Sequence, residues 1–280
     1  MLKIPSINLI KTYVQQQKKM IFGRRWFSLA EVTDRLEPLI GWDQEALKAS
    51  RVAVVGCGAL GGNFALAIAR YGVGEILLFD FDEVDPSNLP RQPFSYVDVG
   101  INKALALKHQ IRNARVDCET LVESFPYRFE EAVSADLVST PSILFVGVDN
   151  DPSRRWAITY ANTHGIPAII TGMDGEAAEG YVFRQQSQSE TPCPACFWPS
   201  LAESMGQAPC APVSAAIALT IVGISLAALE NLVMKRPLDW DVKTISLPGK
   251  VEGNYRVVKR SDCPLCGSGE KINISSAQSS

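Results

Sequence analysis

Residues 51–62 read RVAVVGCGALGG, and this stretch decides the fold. Its apolar run, 52–55, is bounded by polar residues and glycine, which is typical of a buried parallel strand. Gly56, Gly58 and Gly61 then form the pattern G-x-G-x-x-G. Such a turn lets backbone N–H groups approach phosphate oxygens at the start of a helix. The pattern therefore indicates a nucleotide-binding turn, with a tight strand–helix turn that binds no ligand as the alternative.

The rest of the chain continues this alternation of strands and helices. A helix over 63–71 and a strand over 75–79 complete a βαβ unit. Later patterns predict helices over 102–112, 154–164 and 213–229, and strands over 116–122, 144–148, 168–170, 243–247 and 255–258. Five prolines between residues 185 and 212 predict a loop. Together these elements predict a Rossmann-like, mostly parallel, doubly wound α/β sheet.

The composition fits one globular domain. The chain has 280 residues, of which 46% are hydrophobic, and a formal net charge of −3. This is enough apolar material for one sizeable core, or at most two small ones. There is no basic footprint of the kind that binds nucleic acid or an anionic membrane. We expect an N-terminal extension over 1–40, a single domain over 41–268 and a disordered polar tail over 269–280.

Two segments bear on localisation. Residues 1–20 lack the apolar stretch and cleavage site of a secretory signal, which predicts a cytoplasmic protein. Residues 204–229 carry no charge and are borderline in length for a membrane span. Pro209 and Pro212 crowd the start of this segment and Glu230 closes it, without an aromatic belt. A buried core helix is therefore favoured over a membrane span.

A longer motif helps to choose between NAD and ATP as the bound nucleotide. Asp80 follows the second strand, where an acidic residue bonds ribose hydroxyls in NAD and ATP sites alike. The residues DFDEVDPSNLPRQ at 80–92 are followed by GINKA at 100–104. This sequence resembles the ThiF/MoeB/ubiquitin-activating enzyme superfamily, which reads approximately D-x-D-x-V-x-x-S-N-L-x-R-Q and then G-x-x-K-A. The similarity continues in the same order from Gln44 to the final cysteine pair.

The resemblance implies an ATP site with Mg²⁺, where a C-terminal carboxylate attacks the α-phosphate and forms an acyl-adenylate. Asp80 would then hold the ribose and Asp149 the Mg²⁺. Asn88, Arg91, Gln92 and Lys103 would surround the triphosphate, with Asp82 and Arg154 as further contributors. Arginine can fork onto two phosphate oxygens, and lysine supplies a point charge. Alternatively, Arg91 and Lys103 are solvated surface charges, and Asp149-Asn150 turns the chain or caps a helix.

Two departures from the family pattern concern the phosphate loop and the subunit contact. Pro90 stands where asparagine is common, which predicts a stiffer loop around Arg91. Family members form dimers in which an arginine of an N-terminal R-Y-x-R-Q segment enters the neighbouring subunit's ATP site. That motif cannot be recognised in this sequence. Arg24, Arg25 and Arg35 are the candidates to replace it. A homodimer is expected.

Four of the seven cysteines form two Cys-x-x-Cys pairs, Cys193/Cys196 and Cys263/Cys266. Four thiolates suit tetrahedral Zn²⁺. The pairs lie farther apart in sequence than those of a compact zinc ribbon, so spacing alone also allows unrelated redox or packing pairs. The resemblance implies a structural zinc that joins the C-terminal segment, as a zinc knuckle, to the crossover region.

Cys210 lies in an uncharged loop just before the apolar helix. Relatives often carry a cysteine in this crossover loop, where it forms a thioester, persulfide or acyl-disulfide with the activated partner. A thiolate near a helix N-terminus is more acidic and more nucleophilic. The alternative is a small buried side chain without a catalytic role.

The resemblance implies an ATP-dependent adenylyltransferase with Arg91, Lys103, Asp149 and Cys210 as candidate catalytic residues. Its substrate would be the C-terminus of a small ubiquitin-like or sulfur-carrier protein, or of a peptide in natural-product maturation. Adenylation of a small carboxylate or of a modified tRNA base is an alternative. From other classes, an NAD-dependent oxidoreductase and a catalytically silent partner subunit stay open.

Overall fold

A computed structural model describes residues 33–114, 120–174, 178–187, 191–203, 213–249 and 252–267. The fold is built on one sheet of eight strands. The strands are β1 Arg51–Val55, β2 Glu75–Phe79, β3 Leu121–Phe125, β4 Ile143–Val146, β5 Ala168–Asp174, β6 Glu179–Gln185, β7 Val242–Ser246 and β8 Gly253–Tyr255. Their order across the sheet is β3-β2-β1-β4-β5-β6-β7-β8.

The sheet has a parallel half and an antiparallel half. Strands β1 to β5 pair in parallel, whereas β6, β7 and β8 each pair antiparallel to their neighbours. The chain order reverses between β1 and β4, which lie side by side at the centre. In sheets of this kind ligands bind outside the carboxyl ends of the strands at such a reversal. The doubly wound, mostly parallel sheet predicted from the sequence is confirmed.

Helices cover both faces of the sheet. They are α1 Gln44–Lys48, α2 Ala59–Arg70, α3 Lys103–Ala114, α4 Phe129–Ser134, α5 Asp151–His164, α6 Pro194–Phe197, α7 Ser200–Glu203 and α8 Ala215–Met234. Because alternate side chains of a strand point to opposite faces, β1 supplies both cores. Val52 and Val54 pack with α2, α3 and α8, and Ala53 and Val55 pack with α4 and α5.

Helix α8 is the apolar segment that the sequence analysis assigned to the core. It is long and apolar enough to cross a membrane by length and composition, and half of its most apolar window is buried in the fold. Its buried residues include Ile217, Ile221 and Leu229, and it packs against α2, β5 and β6. These contacts favour the core-helix interpretation.

Several predicted boundaries are wrong. The strand expected over 116–122 runs from Leu121 to Phe125, with residues 115–119 outside the described part. The helices expected from 63 and 154 begin earlier, at Ala59 after the N-cap Gly58 and at Asp151 after the N-cap Asn150. The strand expected over 144–148 ends at Val146, and the one expected over 255–258 is Gly253–Tyr255.

Other elements were missed. Strand β5 extends beyond 168–170 to Asp174 because β6, which the sequence analysis did not predict, pairs with its whole length. The expected loop over 185–212 contains the short helices α6 and α7. Helix α4 was also missed. The extension over 1–40, apart from residues 33–40, and the tail over 269–280 lie outside the described residues, so these boundaries stay predictions.

Candidate active site and cysteine cluster

A cleft of about 730 Å³ opens at the carboxyl ends of β1, β2 and β4. Ten of the residues predicted from the sequence line it. These are Gly56, Gly58, Asp80, Asp82, Asn88, Arg91, Gln92, Lys103, Asp149 and Arg154. They come from separate stretches of the chain, and they meet because parallel strands end at the same edge of a sheet. Gly61 lies behind this lining, in the first turn of α2.

Glycines shape the turn after β1. Gly56 has φ +89°, a conformation that side chains rarely adopt. A Cβ on Gly61 would lie 1.8 Å from the carbonyl oxygen of Gly56, so α2 can pack this close to the strand end only with glycine there. Gly58 precedes the helix and has no side chain to cap it. Ala59 and Leu60, the first residues of α2, line the cleft, so the N-terminus of the helix lies at the cleft as in a phosphate-binding turn.

Asp80 joins β2 to this turn. One carboxylate oxygen accepts the backbone N–H of Cys57 at 2.7 Å, and the other accepts the N–H of Asp82 at 2.9 Å. Burial raises the pKa of Asp80 above its usual value, although the positive charge of Lys103 and the two N–H donors lower it in part. Asp80 thus fixes the shape of the turn as well as facing the cleft.

Lys103 begins helix α3 among three carboxylates. Its Nζ lies 2.9 Å from Oδ2 of Asp82. Burial by itself would lower the pKa of Lys103, but the charges of Asp80, Asp82 and Asp149 hold that pKa above 10.5. The side chain is therefore a charged ammonium at neutral pH. It is not the solvated surface charge of the alternative interpretation.

The loop after β2 carries three further predicted residues. Arg91 Nη1 donates to the carbonyl oxygen of Ser87 at 2.7 Å. Asn88 is buried, and its Oδ1 accepts the N–H of Asp85 at 3.0 Å, so part of its role is to fold this loop. Gln92 is also buried, and its Oε1 has no hydrogen-bond partner in the described part of the chain. An acceptor oxygen that has no partner among the described residues and lies at a cleft can accept a hydrogen bond from a ligand.

The segment after β4 carries two adjacent residues, Asp149 and Asn150, with different roles. Asn150 caps α5 by accepting the N–H of Ser153 at 2.9 Å, so the capping alternative holds for this residue. Asp149 lines the cleft instead. Arg154 pairs with Asp151 at 2.5 Å and also donates to the carbonyl oxygen of Val148. Arg154 therefore braces the loop that carries Asp149.

The four predicted zinc ligands lie together at another point of the fold. The Sγ atoms of Cys193, Cys196, Cys263 and Cys266 are all within 4.8 Å of one another. Two pairs across the cluster, 193–263 and 196–266, are 3.6 and 3.4 Å apart. Thiolates around a tetrahedral Zn²⁺ with bonds of about 2.3 Å lie somewhat under about 4 Å apart, so the geometry fits. The N–H of Arg260 also points to Cys196 Sγ at 3.5 Å.

Comparison with known families decides where the chain belongs. The pattern of the ThiF family matches residues 32–247, which is most of the chain. The chain belongs to the ThiF family. This match covers the glycine turn, the whole cleft and the first cysteine pair, and ends before the second pair.

Curated ThiF-family relatives are distant and mostly longer. The adenylyltransferase and sulfurtransferase UBA4 of Scheffersomyces stipitis is 28% identical over 234 residues, covering 80% of this chain and 52% of that one. Ubiquitin-like modifier-activating enzyme 5 of Xenopus laevis is 29% identical over 165 residues, covering 55% and 41%. The SAMP-activating enzyme E1 of Haloferax volcanii is 27% identical, covering 81% and 83%. The chain thus spans about half or less of the first two relatives.

A solved structure supports the fold. E. coli MccB, crystallised with ATP, superposes with a TM-score of 0.67 at 22% identity, over 80% of this chain and 68% of that one. At this identity the likeness establishes the architecture, and the ThiF-family match establishes the membership.

Some cleft residues were missed by the sequence analysis. Phe81 is exposed, and the guanidinium of Arg128 lies 3.9 Å above its ring. Tyr127 lines the same end of the cleft. Phe81 follows β2, and Tyr127 and Arg128 follow β3. The sequence analysis placed the third strand too early in the chain, so Tyr127 and Arg128 were not recognised as residues that follow a strand. Their aromatic and basic character directly after a strand was the available signal.

Some predicted positions cannot be placed. Cys210, Arg24 and Arg25 lie outside the described residues, so the roles suggested for them stay predictions. Arg35 is described and exposed to solvent.

Proposed function

We propose that this ThiF-family chain is an ATP-dependent adenylyltransferase that activates the C-terminal carboxylate of a small protein or peptide. One observation carries the proposal. The charged ammonium of Lys103 lies among Asp80, Asp82 and Asp149, beside the glycine turn that presents the first N–H groups of α2. A cation next to a helix N-terminus that no described side chain caps suits a polyphosphate, since the cation and the N–H groups both bind its oxygens.

The residues suggest how the reaction proceeds. The turn and α2 would bind phosphate oxygens, and Arg91 and Lys103 would balance the charge that grows on them. Asp80 would bond the ribose. A carboxylate oxygen of the substrate then attacks the α-phosphorus. As the new P–O bond forms, the bond to the β-phosphate oxygen breaks and pyrophosphate leaves.

Two metal ions fit the residues present. Asp149 lies at the cleft, and its carboxylate makes no hydrogen bond to another described residue. It would hold Mg²⁺, which when bound shields the charge of the phosphates. The four cysteines would hold Zn²⁺. A set of four thiolates leaves no open coordination position, so the zinc would be structural.

The relatives favour a macromolecular carboxylate as the substrate. Their names describe an adenylyltransferase and sulfurtransferase and two enzymes that activate ubiquitin-like modifiers or SAMP proteins. A ubiquitin-like or sulfur-carrier protein is therefore our first candidate. The neighbouring fold of MccB, a microcin C7 biosynthetic enzyme bound to N-formylated MccA, supports a peptide in natural-product maturation as the second.

The remaining parts of the proposal concern assembly and the fate of the adenylate. We infer that the protein is cytoplasmic and forms a homodimer. Sedimentation of the purified protein tests the dimer. In a following step the Cys210 thiolate would attack the acyl carbonyl of the adenylate, and the bond to AMP would break as the thioester forms. Cys210→Ser should then abolish a thiol-linked adduct, seen by mass spectrometry, and leave adenylation unchanged.

Pyrophosphate exchange tests the central step. The protein is incubated with ATP, Mg²⁺ and radiolabelled pyrophosphate, with and without candidate proteins and peptides. Label should enter ATP only when a substrate with a free C-terminal carboxylate is present. Exchange with a free small carboxylate or a tRNA, but with no peptide, would contradict the proposed substrate. Binding of NADH without binding of ATP would favour the oxidoreductase, and equal turnover by wild type and an Arg91/Lys103/Asp149 triple alanine variant would favour a silent subunit.

A further inference from the structure

The cleft continues past the nucleotide residues to the ends of β5 and β6. Ile170 of β5 pairs with Val146 of β4, so Gly172 and Met173 come level with the segment that carries Asp149. Strand β6 runs in the opposite direction, which brings its first residues to the same edge of the sheet. This part of the cleft is lined by Gly172, Met173, Tyr181 and Val213, all without charge. We call these four residues the neutral end.

Tyr181 is held firmly within the neutral end. It pairs with Gly172 across the two strands, and a Cβ on Gly172 would lie 2.5 Å from the tyrosine ring. The ring therefore lies directly over the bare backbone of β5, where only glycine leaves room. The ring of Trp198 also packs against it at a centroid distance of 4.4 Å. These two contacts fix the direction of the phenol.

The hydroxyl group of Tyr181 has a proton to donate. It forms no hydrogen bond with any other residue that the structure describes, although it belongs to the lining of the cleft. The nearby charges are those of Arg154 and Asp151, which pair with each other. Burial is the main cause that raises the pKa of Tyr181 above 10, so the phenol stays protonated at neutral pH. It is thus a fixed donor whose charged neighbours, Arg154 and Asp151, are paired with each other.

We propose that Tyr181 determines specificity for a peptide backbone: its hydroxyl donates to a carbonyl oxygen of the acyl chain whose terminal carboxylate reacts beside Asp149. This inference rests on the proposed adenylyltransferase function and adds a binding residue to it. An extended peptide offers a carbonyl acceptor at each residue, and its neutral backbone matches the lining. A free small carboxylate is too short to reach this end, so it gains nothing from Tyr181.

Substrate kinetics test the role of this hydroxyl. Pyrophosphate exchange is measured with synthetic decapeptides that reproduce the C-termini of ubiquitin-like and sulfur-carrier proteins, and with acetate as a carboxylate that lacks a backbone. Tyr181→Phe keeps the ring and its packing, so the fold should be retained. We expect the KM for the peptide to rise about five- to tenfold, as for the loss of one hydrogen bond, with the KM for ATP within about twofold. Tyr96→Phe, exposed and outside the cleft, is the matched control.

Each outcome separates the inference from the proposed function. If the wild type uses peptides and Tyr181→Phe has the same KM for them, the role of Tyr181 is overturned and the adenylation proposal is left intact. An equal rise in KM for peptide and ATP also overturns it, because that marks a general disturbance of the cleft. Exchange with acetate but with none of the peptides overturns both the role of Tyr181 and the proposed peptide or protein substrate, and leaves only ATP-dependent adenylation. If no carboxylate supports exchange, the adenylyltransferase proposal fails and this inference fails with it.

Discussion

The carboxylate of Asp80 accepts the backbone N–H of Cys57 at 2.7 Å, which ties the end of β2 to the glycine turn after β1. Lys103 lies close enough to lower the pKa of that carboxylate, while burial raises it. The shape of the turn and the charge of the cleft therefore depend on the same residue. This coupling makes the electrostatics of the cleft measurable without any substrate.

Removing the charge of Lys103 should raise the pKa of Asp80 further. In Lys103→Met the positive charge that partly offsets the effect of burial on the Asp80 pKa is gone. A carboxyl NMR titration should therefore give a higher Asp80 pKa than in wild type. Lys108→Met, on the same helix but outside the cleft lining, should leave it unchanged. An unshifted Asp80 in Lys103→Met would show that the two groups do not interact.

The same pair gives a pH dependence of stability. Because the folded-state pKa of Asp80 lies above 3.8, the protein loses stability as the pH rises from 3.8 through the folded value. Lys103 has a raised pKa, so its own contribution is present below pH 10.5 and is lost only as the pH rises through its higher folded value. Urea unfolding between about pH 4 and about pH 7 should show a steeper loss for Lys103→Met than for wild type. Parallel curves would contradict this prediction.

Adenylation should depend on Arg91 and Asp149. Replacing either by alanine removes a group expected to act on the triphosphate, and kcat should fall about 10²- to 10³-fold. Asp149→Ala should in addition weaken the dependence of the rate on Mg²⁺. Arg112→Ala removes an exposed arginine at the end of α3 and is the control. Pyrophosphate exchange with a peptide substrate provides the rate, and a loss below tenfold for either variant would argue against its assigned role.

The cysteine cluster should hold one zinc ion per chain. Cys263→Ser or a strong chelator should remove the metal, since three thiolates bind it less well, and should lower the midpoint of thermal unfolding. Elemental analysis and calorimetry provide the measurements. Cys57→Ala is the control for metal content, because Cys57 lies in the glycine turn and outside the cluster. Purified protein without zinc but with full thermal stability would contradict the assignment.

The sequence sufficed where the signal was local. The apolar run of β1 and the three glycines after it occupy adjacent positions, so both the strand and the turn could be predicted. The cleft residues gathered as predicted because parallel strands share a carboxyl edge.

The sequence failed where structure depends on distant partners. Strand β6 contains Arg184, which is almost fully buried and looks unlike a strand residue in isolation. Its guanidinium is satisfied by Asn231, Trp240 and Asp241, all about fifty residues away in sequence. A buried charge is stable only with such partners, and no local pattern reveals them. The contact between Phe81 and Arg128 was missed for a different reason, because the third strand had been placed too early in the chain.

The close approach at the glycine turn gives the sharpest test of the fold. In Gly61→Ala the new Cβ would lie 1.8 Å from the carbonyl oxygen of Gly56, and backbone cannot yield as a flexible side chain can. The free energy of unfolding should fall by about 3 kcal/mol or more, measured by urea denaturation. Gly223→Ala is the matched control, since Gly223 is an exposed glycine within α8 with no atom within 4 Å of the added carbon. That variant should be more stable than wild type by about 0.5–1 kcal/mol, because alanine favours a helix over glycine. Similar stability of the two variants would mean that α2 does not pack against the end of β1 as closely as the structure has it.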